Sequence, residues 1–393
     1  MVDVSAQPDR AISAAVACGG TGGHLFPGLA VAEELRRRGC ALTLIVSAKS
    51  VDQQAVAAVR GMEIMTLPAV GWTRRRGLVF LWSICRSYRA ARRQFAFRPP
   101  TFVLAMGGFT SAPPVLAGKW CGARTFLHES NTIPGRANRW LAPWVDEAFV
   151  YFAPAAARLR ARRIEVTGMP VRPQFLSTLT APEARRLLGL KPESPVLLVM
   201  GGSQGAGKIN ELALQMVPQL REAAPELQFL HLTGTADFEK VRAAYDALNV
   251  PAQVRSFCDK MGVALAAADV ALSRAGASSL AELAARQLPA VLIPYPAATD
   301  NHQYFNARLF VQIGAARMVA QDRATAGQLA QEILELARDP AKRSAMRCAL
   351  AGWHRPAAAA EIADRILRWR AEAARPGAGG DPKMRPRPMG VLN

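Results

Sequence analysis

Between Ile64 and His128 the chain carries no aspartate and no glutamate. The same stretch holds Arg74, Arg75, Arg76, Arg86, Arg89, Arg92 and Arg93, set among Trp72, Leu78, Phe80, Leu81 and Trp82. Acid is scarce overall: 30 Asp and Glu stand against 49 Lys and Arg, giving a net charge of +19 over 393 residues. So basic a balance calls for an anionic partner, which is nucleic acid, a membrane surface or a phosphorylated substrate. No nucleic-acid module accompanies the charge, so nucleic acid is set aside. Large apolar side chains beside arginines, with indole rings that prefer interfaces, describe a surface seated among anionic lipid headgroups. The plainer reading of the segment is an amphipathic core helix with a solvated basic face.

Other absences narrow the class further. No run of eighteen apolar residues occurs, which argues against a membrane-spanning helix. The start, Met1 to Arg10, is polar and lacks the apolar stretch of a secretion signal, so a cytoplasmic chain is expected. The six cysteines (Cys18, Cys40, Cys85, Cys121, Cys258 and Cys348) form no C-x-x-C pair, which points to reduced structural thiols and no metal site. No D-x-D pair is present, which argues against a metal-held diphosphate.

What is present is a repeated strand-then-glycine turn. Ala14-Ala15-Val16-Ala17-Cys18 runs into Gly19-Gly20-Thr21-Gly22-Gly23-His24, and Val196-Leu197-Leu198-Val199-Met200 runs into Gly201-Gly202-Ser203-Gln204-Gly205-Ala206. A third strand, Thr101 to Met106, ends in Gly107-Gly108. A short apolar run reads as a buried strand, and glycine lets the backbone turn sharply beside a ligand. The free N–H groups at the helix start that follows suit phosphate. Strand–helix alternation continues with a helix from Pro27 to Arg38 closed by Gly39, and strands at 41–46, 123–127, 147–150, 227–232, 253–257, 269–273 and 290–293. This pattern predicts two doubly wound α/β domains of parallel sheet facing a cleft. Thr167 to Pro173, with two prolines and a glycine, reads as a stiff linker. The resulting division is 1–166, 167–355, a helix over 356–371 that packs back on the first domain, and a disordered tail over 372–393.

The glycine turns do not match the common nucleotide signatures. Both lack the third glycine of G-x-G-x-x-G, which weakens a nicotinamide enzyme. Gly202 and Gly207-Lys208 have P-loop spacing, but Ile209 replaces the hydroxyl that would hold magnesium. A sugar-nucleotide enzyme fits better. Ser203, Gln204 and Gly205 present N–H groups to a diphosphate, Arg274 can neutralise it, and Glu282 can accept ribose hydroxyls. The competing description of Glu282 is a solvated helix residue.

Five segments in order carry a resemblance: Gly19 to His24, Met106 to Ser111, His128 to Asn131, Gly201 to Ala206 and Asp300 to Ala307. Together the chain resembles the MurG family, N-acetylglucosaminyltransferases that complete the lipid-linked peptidoglycan precursor. The resemblance implies a GT-B fold, and a metal-independent, inverting reaction with no cofactor. It implies transfer from UDP-N-acetylglucosamine to the C4 hydroxyl of the muramyl sugar of the undecaprenyl-linked acceptor, lipid I. By position it assigns Arg172, Ser203, Gln204, Arg274, Glu282, His302 and Gln303 to the donor. It assigns Thr21, Gly22, Gly23, Gly107, Gly108, Glu129 and Asn131 to the acceptor. His24 is the candidate base, since an imidazole titrates near neutrality, and His128 is its rival. The lipid acceptor implies peripheral docking on the cytoplasmic face of the bacterial inner membrane through Trp72, Leu78, Phe80, Leu81 and Trp82, with cell-wall synthesis proteins as further partners. The chain departs from the family pattern at Phe109, Ser130, Met169 and His302, where Tyr, Gln, Asn and Gln are frequent; His302 keeps a hydrogen-bonding edge. A UDP-sugar 2-epimerase, a transferase for another acceptor and an idle nucleotide-binding adaptor are the competing readings.

Overall fold

The computed structural model describes residues 12–20, 22–57, 59–69, 77–176, 178–202 and 205–373. Thr21, Trp72, Ser203 and Gln204, the first eleven residues and the tail from 374 onward lie outside these. Two parallel sheets form, with the same winding. In the first, β1 (Ser13–Ala17), β2 (Ala41–Ser47), β3 (Glu63–Leu67), β4 (Phe102–Ala105), β5 (Arg124–Glu129), β6 (Glu147–Val150) and β7 (Ile164–Val166) lie in the order β3-β2-β1-β4-β5-β6-β7. In the second, β8 (Val196–Met200), β9 (Gln228–Leu232), β10 (Ala252–Arg255), β11 (Val270–Ser273), β12 (Ala290–Leu292) and β13 (Arg317–Met318) lie in the order β10-β9-β8-β11-β12-β13. Each is a doubly wound sheet whose strand order reverses beside its first strand.

The central strands are buried on both faces, as parallel strands under helices must be. Val16, Leu44, Leu104 and Phe126 face one layer, and Ala17, Ile45, Ala105 and Leu127 the other. The first layer is completed from the far end of the chain. Helix Ala358–Ala373 sets Ile362, Ala363 and Ile366 against Leu25, Val31 and Leu35 of helix Gly22–Arg37. Its polar side is fastened by Arg38 to Asp364 at 2.8 Å, and by Arg365 and the Trp369 indole to Glu147. The second layer uses Ala91 and Phe95 of helix Gly77–Phe97 and Val115 and Ala117 of helix Ala112–Trp120. Where the chain crosses between domains, Tyr151, Phe152, Phe310 and Trp353 stack edge to face and tilted, and the Trp353 indole donates to the Tyr151 hydroxyl at 2.9 Å.

One reading needs correction. The first helix begins at Gly22, five residues before Pro27, which lies inside it. Segment 167–172 forms no helix or strand, as the linker reading expects, and residues 167–170 are buried, with Met169 in the core of the second domain.

Candidate active site

A doubly wound sheet collects its ligands outside the carboxyl ends of the strands that flank the reversal. Those strands are β1 and β4 in one domain and β8 and β11 in the other, and each is followed by one of the glycine turns or by Arg274-Ala275-Gly276. The turns face one another across a cleft of about 1350 Å³ lined by both domains.

In the first domain, Gly107 and Gly108 take φ of 104° and 78°. The His24 imidazole packs against both: a Cβ at Gly107 would come within 3.0 Å of His24 Cε1 and one at Gly108 within 3.2 Å of its Cδ2, and the positive φ would strain any side chain there. His24 Nδ1 is buried and takes no partner among the described residues. Burial holds this imidazole down to about 4, against a smaller upward pull from the Met106 carbonyl. Burial therefore favours the neutral imidazole, which has a lone pair to offer a proton but is a weaker base than an ordinary histidine. His128 is different. It is fully buried, its Nε2 donates to the Gly168 carbonyl at 3.1 Å, and it does not line the cleft. Glu129 is also buried, and burial raises its pKa. Its two oxygens accept from the Asn131 and Gly135 amides and the Asn131 and Asn138 side chains, so it shapes the loop after β5.

In the second domain, Glu282 sits on helix Ala277–Ala285, half-buried and facing the cleft. Burial raises its carboxyl to about 7, and the Arg172 guanidinium draws it back down. Arg172 itself lies 4.0 Å above the Phe26 ring of the first domain. His302 donates from Nδ1 to the Thr299 carbonyl at 2.8 Å, which leaves its Nε2 an acceptor edge. Gln303 Oε1 accepts from the Ala275 and Tyr295 amides, which leaves its NH₂ as the free end. Arg274 departs from expectation. Its guanidinium bonds the Ile293 and Pro294 carbonyls and Gln321 Oε1, is 7% exposed and does not line the cleft. The sequence placed it at a strand end, but three acceptors already surround its charge.

The structure thus gathers Gly22, Gly23, His24, Gly108, Glu129 and Asn131 from one side with Arg172, Glu282, His302 and Gln303 from the other. Phe80 and Leu81 line one part of the same cleft; Gly107, His128 and Arg274 lie behind its wall.

Sequence reading missed the groups that join the two halves. Pro27 has no N–H, so the Gly23 carbonyl four residues earlier loses its helical partner, and it accepts instead from Ser278 Oγ at 3.2 Å. Asn306 is fully buried; it accepts from the Thr132 amide and hydroxyl, both at 2.9 Å, and donates to Asn131 Oδ1 and the Ala275 carbonyl. Arg136 and Arg139 pair with Asp300 at 3.3 and 2.6 Å. Asp300 and Asn301 both take the left-handed conformation, φ 51° and 53°, a strain that clusters at functional loops. Asn306 lay within a quoted motif, but only the tertiary contact reveals its role.

Residues 14–150 match the Glycosyltransferase family 28 N-terminal domain, and residues 196–366 match the family's C-terminal domain. A UDP-N-acetylglucosamine–N-acetylmuramyl-(pentapeptide) pyrophosphoryl-undecaprenol N-acetylglucosamine transferase of Desulforudis audaxviator is 35% identical over 364 residues, 89% of this chain and 96% of that protein. The crystal structure of Acinetobacter baumannii MurG superposes with a TM-score of 0.70 at 26% identity, covering 91% of this chain and 99% of that one. A putative UDP-N-acetylglucosamine 2-epimerase from Listeria monocytogenes also reaches 0.70, but at 14% identity over 92% of this chain and 97% of that one, a likeness of fold alone. With both family 28 domains in place and such identity over nearly the whole chain, the protein belongs to glycosyltransferase family 28, among its N-acetylmuramyl-(pentapeptide) pyrophosphoryl-undecaprenol N-acetylglucosamine transferases.

Proposed function

We propose that the enzyme moves N-acetylglucosamine from UDP-N-acetylglucosamine to the C4 hydroxyl of the muramyl sugar of undecaprenyl-pyrophosphoryl-N-acetylmuramyl-pentapeptide, with inversion. The observation that carries this reading is the facing of two strand-end cradles across one cleft, with the His24 imidazole on the first domain's wall. The second domain takes the donor. Glu282 accepts ribose hydroxyls, His302 and Gln303 offer hydrogen-bonding edges to the sugar, and Arg172 supplies charge. The Gly201-Gly202 turn and the start of helix Gly207–Ala223, with Ser203 and Gln204 between them in sequence, stabilise the leaving diphosphate through backbone N–H groups and the helix dipole. The first domain takes the acceptor diphosphate at the amino end of helix Gly22–Arg37, whose first turn has no acidic side chain. His24 removes the proton from the attacking hydroxyl.

The acceptor hangs from a polyprenyl chain, so the enzyme docks peripherally on the cytoplasmic face of the inner membrane. None of the described helices is long and apolar enough to cross a membrane. The docking surface is the start of helix Gly77–Phe97. There Leu78 is 84% and Trp82 59% exposed, Leu81 is exposed beside them, and Arg86 lies over the Trp82 ring at 4.5 Å. Phe80, Leu81 and Ile84 connect this tip to the cleft.

The test is UDP formation from UDP-N-acetylglucosamine with and without the lipid-linked muramyl acceptor. Acceptor-dependent release with a β-linked disaccharide product is expected; acceptor-independent release with epimerised sugar overturns the assignment.

A further inference from the structure

We infer that Asp52, with Lys49, is a positioning clamp that holds the Gly19-Gly20 turn and thereby aims the acceptor-binding amides and His24. The inference rests on the acceptor reading of the first cradle given above. Asp52 is fully buried on helix Ser50–Ala57. Its Oδ2 accepts from the Gly20 amide at 2.6 Å, the Ser47 amide at 3.0 Å and the Ser47 hydroxyl at 2.5 Å. One carboxylate oxygen therefore ties the turn after β1 to the end of β2. Three residues earlier, Lys49 Nζ donates to the Gly20 carbonyl at 2.9 Å while lying 5.0 Å over the Phe109 ring. Both polar backbone groups of Gly20 are thus gripped by side chains of one short segment. The preceding Gly19 carbonyl is taken by Thr110 Oγ1 at 2.6 Å.

Two consequences follow for chemistry. Gly20 has φ of 113°, a conformation that only glycine takes at little cost, and its N–H points inward to Asp52. That amide is unavailable to a phosphate, so among the described residues the anion-facing N–H groups begin at Gly22, in the first turn of helix Gly22–Arg37. The direction of that turn, and of His24 within it, is set by how Gly20 is held. Asp52 also has a buried second oxygen, Oδ1, with no partner among the described residues. A buried carboxylate with an unmet acceptor costs stability, so the arrangement is poorly explained by folding alone. An aspartate accepts from three donors at one oxygen; asparagine, which brings N–H donors of its own, cannot reproduce this without conflict.

The experiment is steady-state kinetics of the full-length enzyme with each substrate varied, on Asp52→Asn, Asp52→Glu, Lys49→Gln and Gly23→Ala, alongside UDP binding and thermal melting. A displacement of about 1 Å at a reacting group costs up to about a hundredfold. Asp52→Asn is expected to raise the acceptor KM by about tenfold or more and to lower kcat, with donor KM and UDP affinity within about twofold of wild type. Asp52→Glu, which keeps the charge, is expected to recover part of this. Lys49→Gln, at an exposed side chain that leaves folding intact, is expected to raise the acceptor KM by about threefold. A folded Asp52→Asn with unchanged acceptor KM, or one that only lowers the active fraction with both KM values intact, overturns the clamp. Should Gly23→Ala raise the acceptor KM while Asp52→Asn does not, the clamp alone fails. Should Gly23→Ala change the donor KM instead, the acceptor reading beneath it fails.

Discussion

The two glycine turns follow the same plan, a buried strand, a sharp turn and a helix start, yet they are fastened by different means. The turn after β1 is held by side chains from elsewhere: Thr110, Asp52 and Lys49 take its backbone groups one after another. The turn after β8 is held by backbone packing. The Gly205 amide donates to the Gly202 carbonyl at 3.0 Å, and Gly205, at φ 75°, lies so close to the Thr233 carbonyl and Gly234 that a Cβ would have no room. Beneath it a buried polar chain runs from Tyr245 through His231 and Asn210 to Asp237. The difference teaches that one topology accommodates two kinds of precision. The first cradle is fastened by side chains that can be exchanged one at a time, whereas the second is fastened by backbone at Gly201 and Gly205, where a Cβ would run into the Ala206 amide and the Thr233 carbonyl.

Breaking the base gives the largest effect. His24→Ala should lower kcat by about 10²–10⁴ with donor affinity retained, read from single-turnover rates and UDP binding. Near-normal turnover would move the proton acceptor elsewhere. Next comes the rigid cradle. Gly205→Ala would thrust a Cβ into the Thr233 carbonyl and force an alanine to positive φ, so donor KM should rise at least about tenfold while acceptor KM holds. The mirror-image outcome would mean that the cradles are assigned the wrong way round. A subtler probe is pH. Burial raises the Glu282 carboxyl to about 7, and its ionised form accepts hydroxyl donors more strongly than the protonated one, which turns one oxygen into a donor. As pH falls through 7 the carboxylate takes up a proton, so donor affinity should weaken toward pH 5.5 in the wild type. In Glu282→Gln it should be lower and flat with pH. His24, held down to about 4, stays neutral through this range and contributes no limb of its own. Smallest in vitro is the effect of Phe80→Glu with Trp82→Glu. This pair should weaken binding to anionic vesicles, and Trp82→Glu alone, at a residue outside the cleft lining, should do so while sparing turnover of a short-chain soluble acceptor; unchanged vesicle binding would remove this helix tip from the docking surface.

What sequence alone conveyed depended on burial. The central strands β1, β4, β8 and β9 are covered on both faces and read as apolar runs. Of the four edge strands only β10 was read, at 253–257; β3, β7 and β13 were not, because half-exposed strands such as Glu63–Leu67 and Arg317–Met318 show no continuous apolar run. The glycine turns were legible because strand, glycine and helix start are adjacent in sequence. Asp52 and Asn306 were not, since each acts across a tertiary contact: Asp52 reaches back 32 residues to Gly20, and Asn306 reaches 174 to Thr132. Arg274 shows the converse. Its place at a strand end was legible, but the carbonyls that occupy its guanidinium come from the next strand's end and were not.

The closing helix has a consequence for biogenesis. Ile362 and Ile366 complete the hydrophobic layer over helix Gly22–Arg37, so the first domain cannot seal its interior until a segment from beyond the second domain has been made. The second domain has a core almost wholly of its own, built from residues between Tyr151 and Trp353. The dependence is one-sided: without helix Ala358–Ala373 the first domain has an apolar flank uncovered, whereas the second domain's core asks little of the first.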